Sequence, residues 1–144
     1  MTNTILTKLN PSDSELINKI AVWYYAEWSI DTEKARNNLQ AICTSSTQCQ
    51  VVLFANGLPV ATGGVYHHVN LIDLVPSLKQ HHYWLALIYT MPQYRKKGYG
   101  ARVCTYLQDI YRDMGVKNLY LCTHTAEKLY QNLGWQLSEK IEIG

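Results

Sequence analysis

The sequence changes character at one short stretch, Thr90-Met91-Pro92-Gln93-Tyr94-Arg95-Lys96-Lys97-Gly98-Tyr99-Gly100-Ala101. The residues before it, 82–90, are apolar and aromatic, and they predict a buried strand that Pro92 ends. The residues after it, 101–114, repeat apolar side chains at helical spacing and predict an amphipathic helix that Gly115 closes. A basic, glycine-containing turn therefore connects a strand to the N-terminus of a helix.

This turn has the features of an anion-binding site. Backbone amides at a helix N-terminus have no intrahelical partner and lie at the positive end of the helix dipole, so they bind phosphate oxygens. Gly98 and Gly100 let a pyrophosphate approach the backbone, and Arg95, Lys96 and Lys97 add positive charge. The P-loop pattern is absent, and the dinucleotide fingerprint fails because a valine stands where its third glycine belongs. We predict a pyrophosphate cradle here; the alternative is a solvated basic turn.

The remaining segments predict strands and helices on both sides of this unit. Strands are expected at 4–9, 50–55, 59–69, 118–122 and 135–143, helices at 16–28, 32–42 and 126–133, and a loop at 70–80. With 82–90 and 101–114 the order is β-α-α-β-β-β-α-β-α-β. This order predicts an α/β (α+β) fold in a single domain over 1–144, with a mixed central sheet flanked by about four helices.

Local signals mark several of the predicted element ends. Ser12 and Glu15 fit a capping box before the first helix, and Asp31 fits the N-cap of the second. Asn56-Gly57 predicts a two-residue hairpin turn. The pair Gly63-Gly64 inside a predicted strand indicates a bulge or the close approach of another backbone.

Composition narrows the class of protein. The 144 residues are 47% apolar and 17% charged, which is typical of one folded domain and excludes a disordered chain. Thirteen basic against eleven acidic residues give a net charge of +2, too little to argue for general nucleic-acid binding. The four cysteines form neither a C-x-x-C pair nor a zinc-finger spacing with histidine, so reduced thiols and no metal are expected. Without a membrane-spanning run or a recognisable signal peptide, the expected location is cytoplasmic.

Two motifs together carry a resemblance to a known family. Arg95-x-x-Gly98-x-Gly100 follows Met91-Pro92-Gln93-Tyr94, and Ala126-x-x-x-Tyr130-x-x-x-Gly134-Trp135 lies one predicted helix and one predicted strand downstream. In this order and at this spacing they resemble the acetyl-CoA-binding signature and the A-x-x-x-Y-x-x-x-G-[F/W] motif of the GNAT superfamily of N-acetyltransferases. The resemblance covers residues 83–137 well, whereas the first half of the chain agrees in element order only.

The resemblance implies a definite layout for the site. Strands 83–90 and 118–122 would run parallel and splay into a V-shaped slot for the pantetheine arm of acetyl-CoA. A backbone amide within 88–90 would polarise the acetyl carbonyl. The cofactor-binding residues that the resemblance implies are Ile88, Tyr89, Thr90, Arg95, Lys96, Lys97, Gly98, Tyr99, Gly100, Ala101 and Thr123. At position 123 many members of the family have Asn, and a Thr hydroxyl replaces only part of the hydrogen bonding of that amide.

The implied chemistry is direct transfer of an acetyl group from the CoA thioester to a primary amine. Tyr130 occupies the family position of the acid that protonates the departing thiolate, and a phenol is protonated at pH 7. The base that receives the proton of the amine is less determined. Glu27, on the aromatic helix that would line the acceptor side, and His124, beside the slot, are the candidates, and a histidine of the pairs at 67–68 and 81–82 is a further one.

Other functions and partners stay open at this point. The same fold could serve as a non-catalytic acyl-CoA-binding module. The basic turn with Tyr94 and Tyr99 could stack single-stranded nucleic acid, although the small net charge and the absence of a second basic stripe disfavour this. The sequence does not specify whether the acceptor amine is a small molecule, a peptide or a protein. A homodimer through an edge strand is one expected arrangement.

Overall fold

The computed structural model describes residues 2–122 and 127–136 of the chain. The strands are β1 Thr4–Lys8, β2 Cys49–Ala55, β3 Leu58–Tyr66 and β4 Trp84–Thr90. The helices are α1 Ser14–Trp28, α2 Thr32–Thr44, α3 Asn70–Leu74, α4 Tyr99–Asp113 and α5 Glu127–Asn132, and single 3-10 turns cover Pro76–Gln80 and Pro92–Tyr94. Among the described residues, no helix combines the length and the apolar character that crossing a membrane requires.

The four strands form one antiparallel sheet in the order β1-β2-β3-β4. The predicted hairpin turn joins β2 to β3, with Asn56 and Gly57 both left-handed at φ 50° and 82°. Left-handed φ at both central positions matches the twist of the two strands, which is why this dipeptide favours the turn. Each strand thus pairs with its sequence neighbour, and β4 lies at one end of the sheet.

A β-bulge lies in β4, opposite the paired glycines. Thr62 pairs with Tyr89, but Gly64 pairs with Ala86, so β4 contains one residue more than β3 over this interval. Leu87, within the bulge, has φ 55°, a conformation that a leucine rarely adopts. Of the two alternatives that the glycine pair indicated, the structure has a bulge, and the extra residue lies in β4, opposite the glycines.

The helices cover both faces of the sheet. On one face α1 and α2 bury an apolar cluster whose members are Leu9, Ile17, Ile20, Trp23, Tyr24, Leu39, Val52 and Tyr89. On the other face α4 packs with Val103, Leu107 and Tyr111 against the apolar side chains of β2 and β3. Each large side chain buried in this way contributes about 1.5–3 kcal/mol, so these two clusters stabilise the fold.

The helix ends follow their local sequence signals, with one correction. Asp31 caps α2 as predicted, since its carboxylate accepts from the Lys34 amide at 3.0 Å. The capping box at Ser12 is wrong: Asp13 is the N-cap of α1 and accepts from the Leu16 amide at 3.1 Å. A carboxylate is as good a cap as a hydroxyl and adds a favourable interaction with the helix dipole, so it sets the boundary one residue later.

The segments around β4 differ from the prediction in three ways. The segment 70–80, expected to be a loop, contains α3 and a 3-10 turn. The strand expected at 118–122 is a single parallel bridge between Tyr120 and Trp84, so the sheet is antiparallel apart from that bridge. Trp135 and Gln136 are not in a strand, and residues 137–143 of the predicted last strand lie outside the described residues.

Candidate active site

One edge of β4 pairs with β3, and its other edge changes from paired to open along the strand. At the start of β4 the Leu85 amide donates to the Tyr120 carbonyl at 2.7 Å, so it points away from β3. Just after β4 the Met91 amide donates to the Val60 carbonyl of β3 at 2.8 Å. In a regular strand two amides six residues apart point to the same side. The bulge reverses the alternation between them.

The reversal determines which amides face the open side. Because the Met91 amide points to β3, the alternation turns the amides of Ile88 and Thr90 away from β3. The side chains reverse in the same way: Leu85 and Ile88 pack on the α4 face, whereas Leu87 packs on the α1 face. Within the described residues, the edge of β4 beyond Leu85 has no strand beside it, which agrees with the splay expected there.

The N-terminus of α4 lies next to this open edge. Gly98 is the N-cap residue with φ 81°, and no side chain among the described residues caps the helix. The first intrahelical bond runs from the Arg102 amide to the Gly98 carbonyl at 3.1 Å. The amides of residues 99–101 therefore have no carbonyl one turn back and remain for an anion. A Cβ on Gly100 would lie 3.6 Å from Thr90 Oγ1, which places this helix start beside the end of β4.

The basic residues of the turn divide into two groups. Lys96 and Lys97 are exposed, with Lys96 left-handed at φ 64°. Arg95 instead lies against the protein: its Nε donates to the Thr90 carbonyl at 2.8 Å, and its guanidinium lies 5.6 Å from the centre of the Tyr89 ring. Its Nη2 pairs with Glu27 Oε2 at 3.3 Å. The structure thus brings together two predicted site residues, Arg95 and Glu27, as partners of each other.

Tyr130 lies on the α4 side of the sheet. Its ring meets that of Trp135 edge-on with the centroids 6.3 Å apart, and it packs against the core that α4 covers. The turn after α5 is closed by Gly134 at φ 97°, and the Trp135 amide donates to the Tyr130 carbonyl at 3.0 Å. Burial, with a smaller contribution from Cys104, raises the pKa of Tyr130 to about 12. This phenol is a proton donor throughout the neutral range.

The remaining candidate site residues lie in different parts of the chain. Thr123 and His124 lie outside the described residues. The two histidine pairs flank β3 and β4 instead of belonging to them: His68 pairs with Asp73 at 2.9 Å, and His81 stacks on Tyr120 at 3.9 Å between ring centroids. In the part of the chain that the structure describes, no three His, Cys, Asp or Glu side chains are grouped to hold a metal ion.

Sequence reasoning missed a buried polar network beneath the bulge. Its side chains are Tyr24, Gln50, Thr62 and Tyr66, and it reaches the carbonyl of Leu87. The four residues come from three separate elements, so no local sequence pattern predicts that they form a network. The glycine pair is the local sequence feature that relates to the network: a Cβ on Gly64 would lie 2.6 Å from Gln50 Oε1, too close for a normal contact.

The antiparallel sheet thus ends in an open strand edge beside a helix N-terminus, which offers backbone donors to an extended amide-containing chain and to a phosphate. A model described as the acetyltransferase (GNAT) family matches residues 14–135, and the chain belongs to that family. The recognition drawn from the two sequence motifs is thereby confirmed. No curated protein sequence matches the chain.

Several solved structures share the fold over nearly the whole chain. The aminoglycoside N-acetyltransferase AAC(6')-Iy, in complex with the bisubstrate analogue CoA-S-monomethyl-acetylneamine, has a TM-score of 0.77 at 14% identity and covers 99% of this chain and 97% of its own. A predicted acetyltransferase from Clostridium acetobutylicum with acetyl-CoA has a TM-score of 0.72 at 15% identity, covering 100% of this chain and 96% of its own. Glucosamine-6-phosphate N-acetyltransferase from Arabidopsis thaliana has 0.69 at 18%, covering 99% and 97%. At these identities the likeness shows the fold.

Proposed function

We propose that this chain is an acetyl-CoA-dependent N-acetyltransferase that moves an acetyl group directly from the thioester to a primary amine. One observation carries the proposal: the open edge of β4 ends beside the uncapped N-terminus of α4, with Thr90 and Gly100 in near contact. A strand edge binds an extended amide-containing chain, and a helix N-terminus binds phosphate. The pantetheine arm and the pyrophosphate of CoA join these two chemistries in one molecule.

The residues present fit acetyl-CoA. The amides of residues 99–101 would hold the pyrophosphate. In the described part of the chain no atom comes within 4 Å of a Cβ built on Gly98, which leaves room for it. Lys96 and Lys97 are exposed and would add charge to the phosphate end. The outward amide of Ile88 would donate to the acetyl carbonyl oxygen and stabilise the charge that develops there. The relatives crystallised with CoA or acetyl-CoA support this assignment.

The chain's own groups would then move two protons. The neutral amine attacks the acetyl carbon and forms the C–N bond as the carbonyl electron pair moves onto oxygen. The C–S bond then breaks as this tetrahedral oxyanion collapses, and Tyr130 donates its proton to the departing sulfur. The amine loses a proton to a base, for which Glu27 and His124 remain our candidates. Glu27 keeps 38% of its side chain exposed on the aromatic helix α1, so an acceptor can reach it, although Arg95 is its present partner. The phenolate of Tyr130 is restored by the proton released from the amine.

The acceptor is proposed only as a primary amine. Among the related structures are aminoglycoside and glucosamine-6-phosphate acetyltransferases, which act on amino sugars by their names. Here the acceptor side would be lined by the exposed aromatic residues Tyr25 and Trp28 of α1, which favour a ligand with an apolar face. The homodimer and the cytoplasmic location stay predictions.

Titration calorimetry with acetyl-CoA, CoA and pantetheine tests the proposal. Acetyl-CoA and CoA should both bind, and pantetheine, which lacks the pyrophosphate, should bind at least about a hundredfold more weakly, since several charge-assisted hydrogen bonds are lost. Release of CoA thiol from acetyl-CoA is then measured over a panel of primary amines. Failure of acetyl-CoA and CoA to bind would reject both the transferase and the non-catalytic acyl-CoA module.

A further inference from the structure

The buried network beneath the β4 bulge connects four elements through a continuous chain of hydrogen bonds. The Tyr24 hydroxyl, from α1, donates to the Leu87 carbonyl at 2.8 Å. It accepts from Gln50 Nε2, from β2, at 2.9 Å. The same Gln50 nitrogen donates to Thr62 Oγ1 at 2.8 Å, and the Tyr66 hydroxyl donates to Gln50 Oε1.

Every hydroxyl in the network has a fixed direction. Thr62 Oγ1 donates to the Val51 carbonyl at 2.7 Å, so its one proton is committed. The proton of Tyr66 goes to Gln50, and both amide protons of Gln50 go to hydroxyl oxygens. The only proton that Tyr24 has is therefore directed at the bulge. A network with all its members satisfied is rigid, because breaking any bond leaves a buried polar group without a partner.

The side chains of this network are buried. Gln50 is 1% exposed and Thr62 is fully buried, although both are polar. Burial also raises the pKa of Tyr24 and of Tyr66 above its ordinary value, so both phenols stay protonated donors. Polar side chains at such depth are uncommon, and here they hold two backbone carbonyls of the sheet, those of Val51 and Leu87.

The carbonyl that receives the bond belongs to the strained residue of the bulge. Leu87 has φ 55°, and a non-glycine residue in this region persists only where its surroundings hold it. The extra residue of a bulge also lies outside the regular ladder, so its carbonyl needs another partner. Tyr24 supplies that partner. The Leu87 carbonyl and the Ile88 N–H belong to the same planar peptide unit, so fixing the direction of the carbonyl also fixes the direction of the N–H.

We infer that Tyr24, oriented by Gln50, is a positioning residue that aims the Ile88 amide at the acetyl carbonyl. This inference rests on the proposed function, because the Ile88 amide can donate to an acetyl carbonyl only if acetyl-CoA lies along the open edge of β4. The trans peptide between Leu87 and Ile88 transmits the constraint: the Tyr24 hydroxyl, held beside Gln50 and Thr62, keeps the Leu87 oxygen on the β3 side, and the N–H at the other end of the plane points the opposite way, to the open edge. Donor alignment within a few tenths of an ångström decides how well an oxyanion is stabilised.

The matched pair Tyr24→Phe and Tyr111→Phe tests the inference. Tyr111 is also a buried tyrosine that donates to a backbone carbonyl, that of Thr47 at 2.7 Å, but far from the bulge. Infrared difference spectra of acetyl-CoA labelled with carbon-13 at the thioester carbonyl report the hydrogen bond to that oxygen. In the wild type the bound carbonyl stretch should fall below its value in solution. Tyr24→Phe should abolish at least half of that fall, and Tyr111→Phe should keep it.

Binding and turnover complete the test. Affinity for CoA, which carries no acetyl group, should stay within about threefold in both variants. With any amine that the wild type accepts, kcat should fall at least about tenfold in Tyr24→Phe and stay near the wild-type value in Tyr111→Phe. Equal behaviour of the two variants would reduce Tyr24 to a structural role and overturn the inference. Absence of acetyl-CoA binding in the wild type would instead reject the proposed function itself.

A second pair covers the case in which Tyr24→Phe does not fold. Gln50→Met removes the amide that orients the Tyr24 hydroxyl. Thr62→Val removes the hydroxyl that accepts from Gln50 and donates to Val51, but it leaves the bond from Gln50 to Tyr24 in place. The carbonyl stretch should move toward its solution value in Gln50→Met and remain shifted in Thr62→Val. The reverse order would overturn the inference as well.

Discussion

Tyr130 lies half-buried between α4 and Trp135, and this burial suits a phenol to donate a proton. Its pKa of about 12 follows mainly from desolvation and partly from Cys104 of α4. The motif alone predicted the role of Tyr130, but not this shift, because Cys104 is distant in the sequence and meets Tyr130 only through packing. The same holds for Glu27 and Arg95, whose ion pair joins two predicted site residues that are distant in the sequence.

Removing the Tyr130 hydroxyl should separate catalysis from binding. Tyr130→Phe keeps the ring that packs against Trp135 and loses only the proton donor, so kcat should fall by about a hundredfold or more while acetyl-CoA affinity changes little. The control is Tyr106→Phe, since Tyr106 is also half-buried against the same core. Steady-state kinetics and calorimetry measure both quantities. A kcat unchanged in Tyr130→Phe would remove this residue from the mechanism.

The raised pKa of Tyr130 also predicts how stability depends on pH. Because the pKa in the folded chain, about 12, exceeds the ordinary value near 10, the folded state binds the phenolic proton more tightly. This contribution is complete below pH 10 and is lost as the pH rises through 12. Urea unfolding at pH 9 and near pH 11.5 should therefore show a larger loss of unfolding free energy in the wild type than in Tyr130→Phe. An identical loss in both would contradict the shift.

At the scale of elements, β4 determines what the site can do, and its bulge determines the shape of β4. The glycine pair in β3 predicted an irregularity, and a side chain is excluded at each of the two positions by a different contact. Gly63 lies opposite the bulge, where a Cβ would overlap Ile88 Cδ1, and Gly64 leaves space for Gln50 and Tyr66. The sequence could not show which strand would carry the extra residue, because that depends on the register between β3 and β4.

A double-mutant cycle tests the contact between the glycine pair and the bulge. Gly63→Ala should lower the unfolding free energy by about 1–3 kcal/mol, since its Cβ overlaps the end of the Ile88 side chain. Ile88→Val removes the overlapped Cδ1, so Gly63→Ala should cost at least about 0.5 kcal/mol less in that background. Urea unfolding of the four proteins gives the coupling. Strictly additive costs would show that the two side chains do not meet.

At the scale of the molecule, sequence patterns predicted the order of elements, the hairpin and the strand-turn-helix unit that begins α4. These depend on contacts between residues close in sequence, such as Asn56-Gly57 and Gly98. The missed features depend on distant contacts. Pairing at Tyr120 stops after one bridge, and the helix α3 forms where a loop was expected. The Tyr24 network has the same origin, since α1, β2 and β3 meet only in the folded chain.

The central claim is that acetyl-CoA lies along the open edge of β4 and ends on the N-terminus of α4. Amide chemical shifts of the isotopically labelled protein, titrated with acetyl-CoA, test this most directly in a chain of 16.5 kDa. The account predicts that the largest changes fall on the amides of Ile88, Thr90 and residues 99–101. Changes concentrated instead in the cleft near the C-terminal end of α4, around Cys43 and Met114, with those amides unmoved, would contradict it.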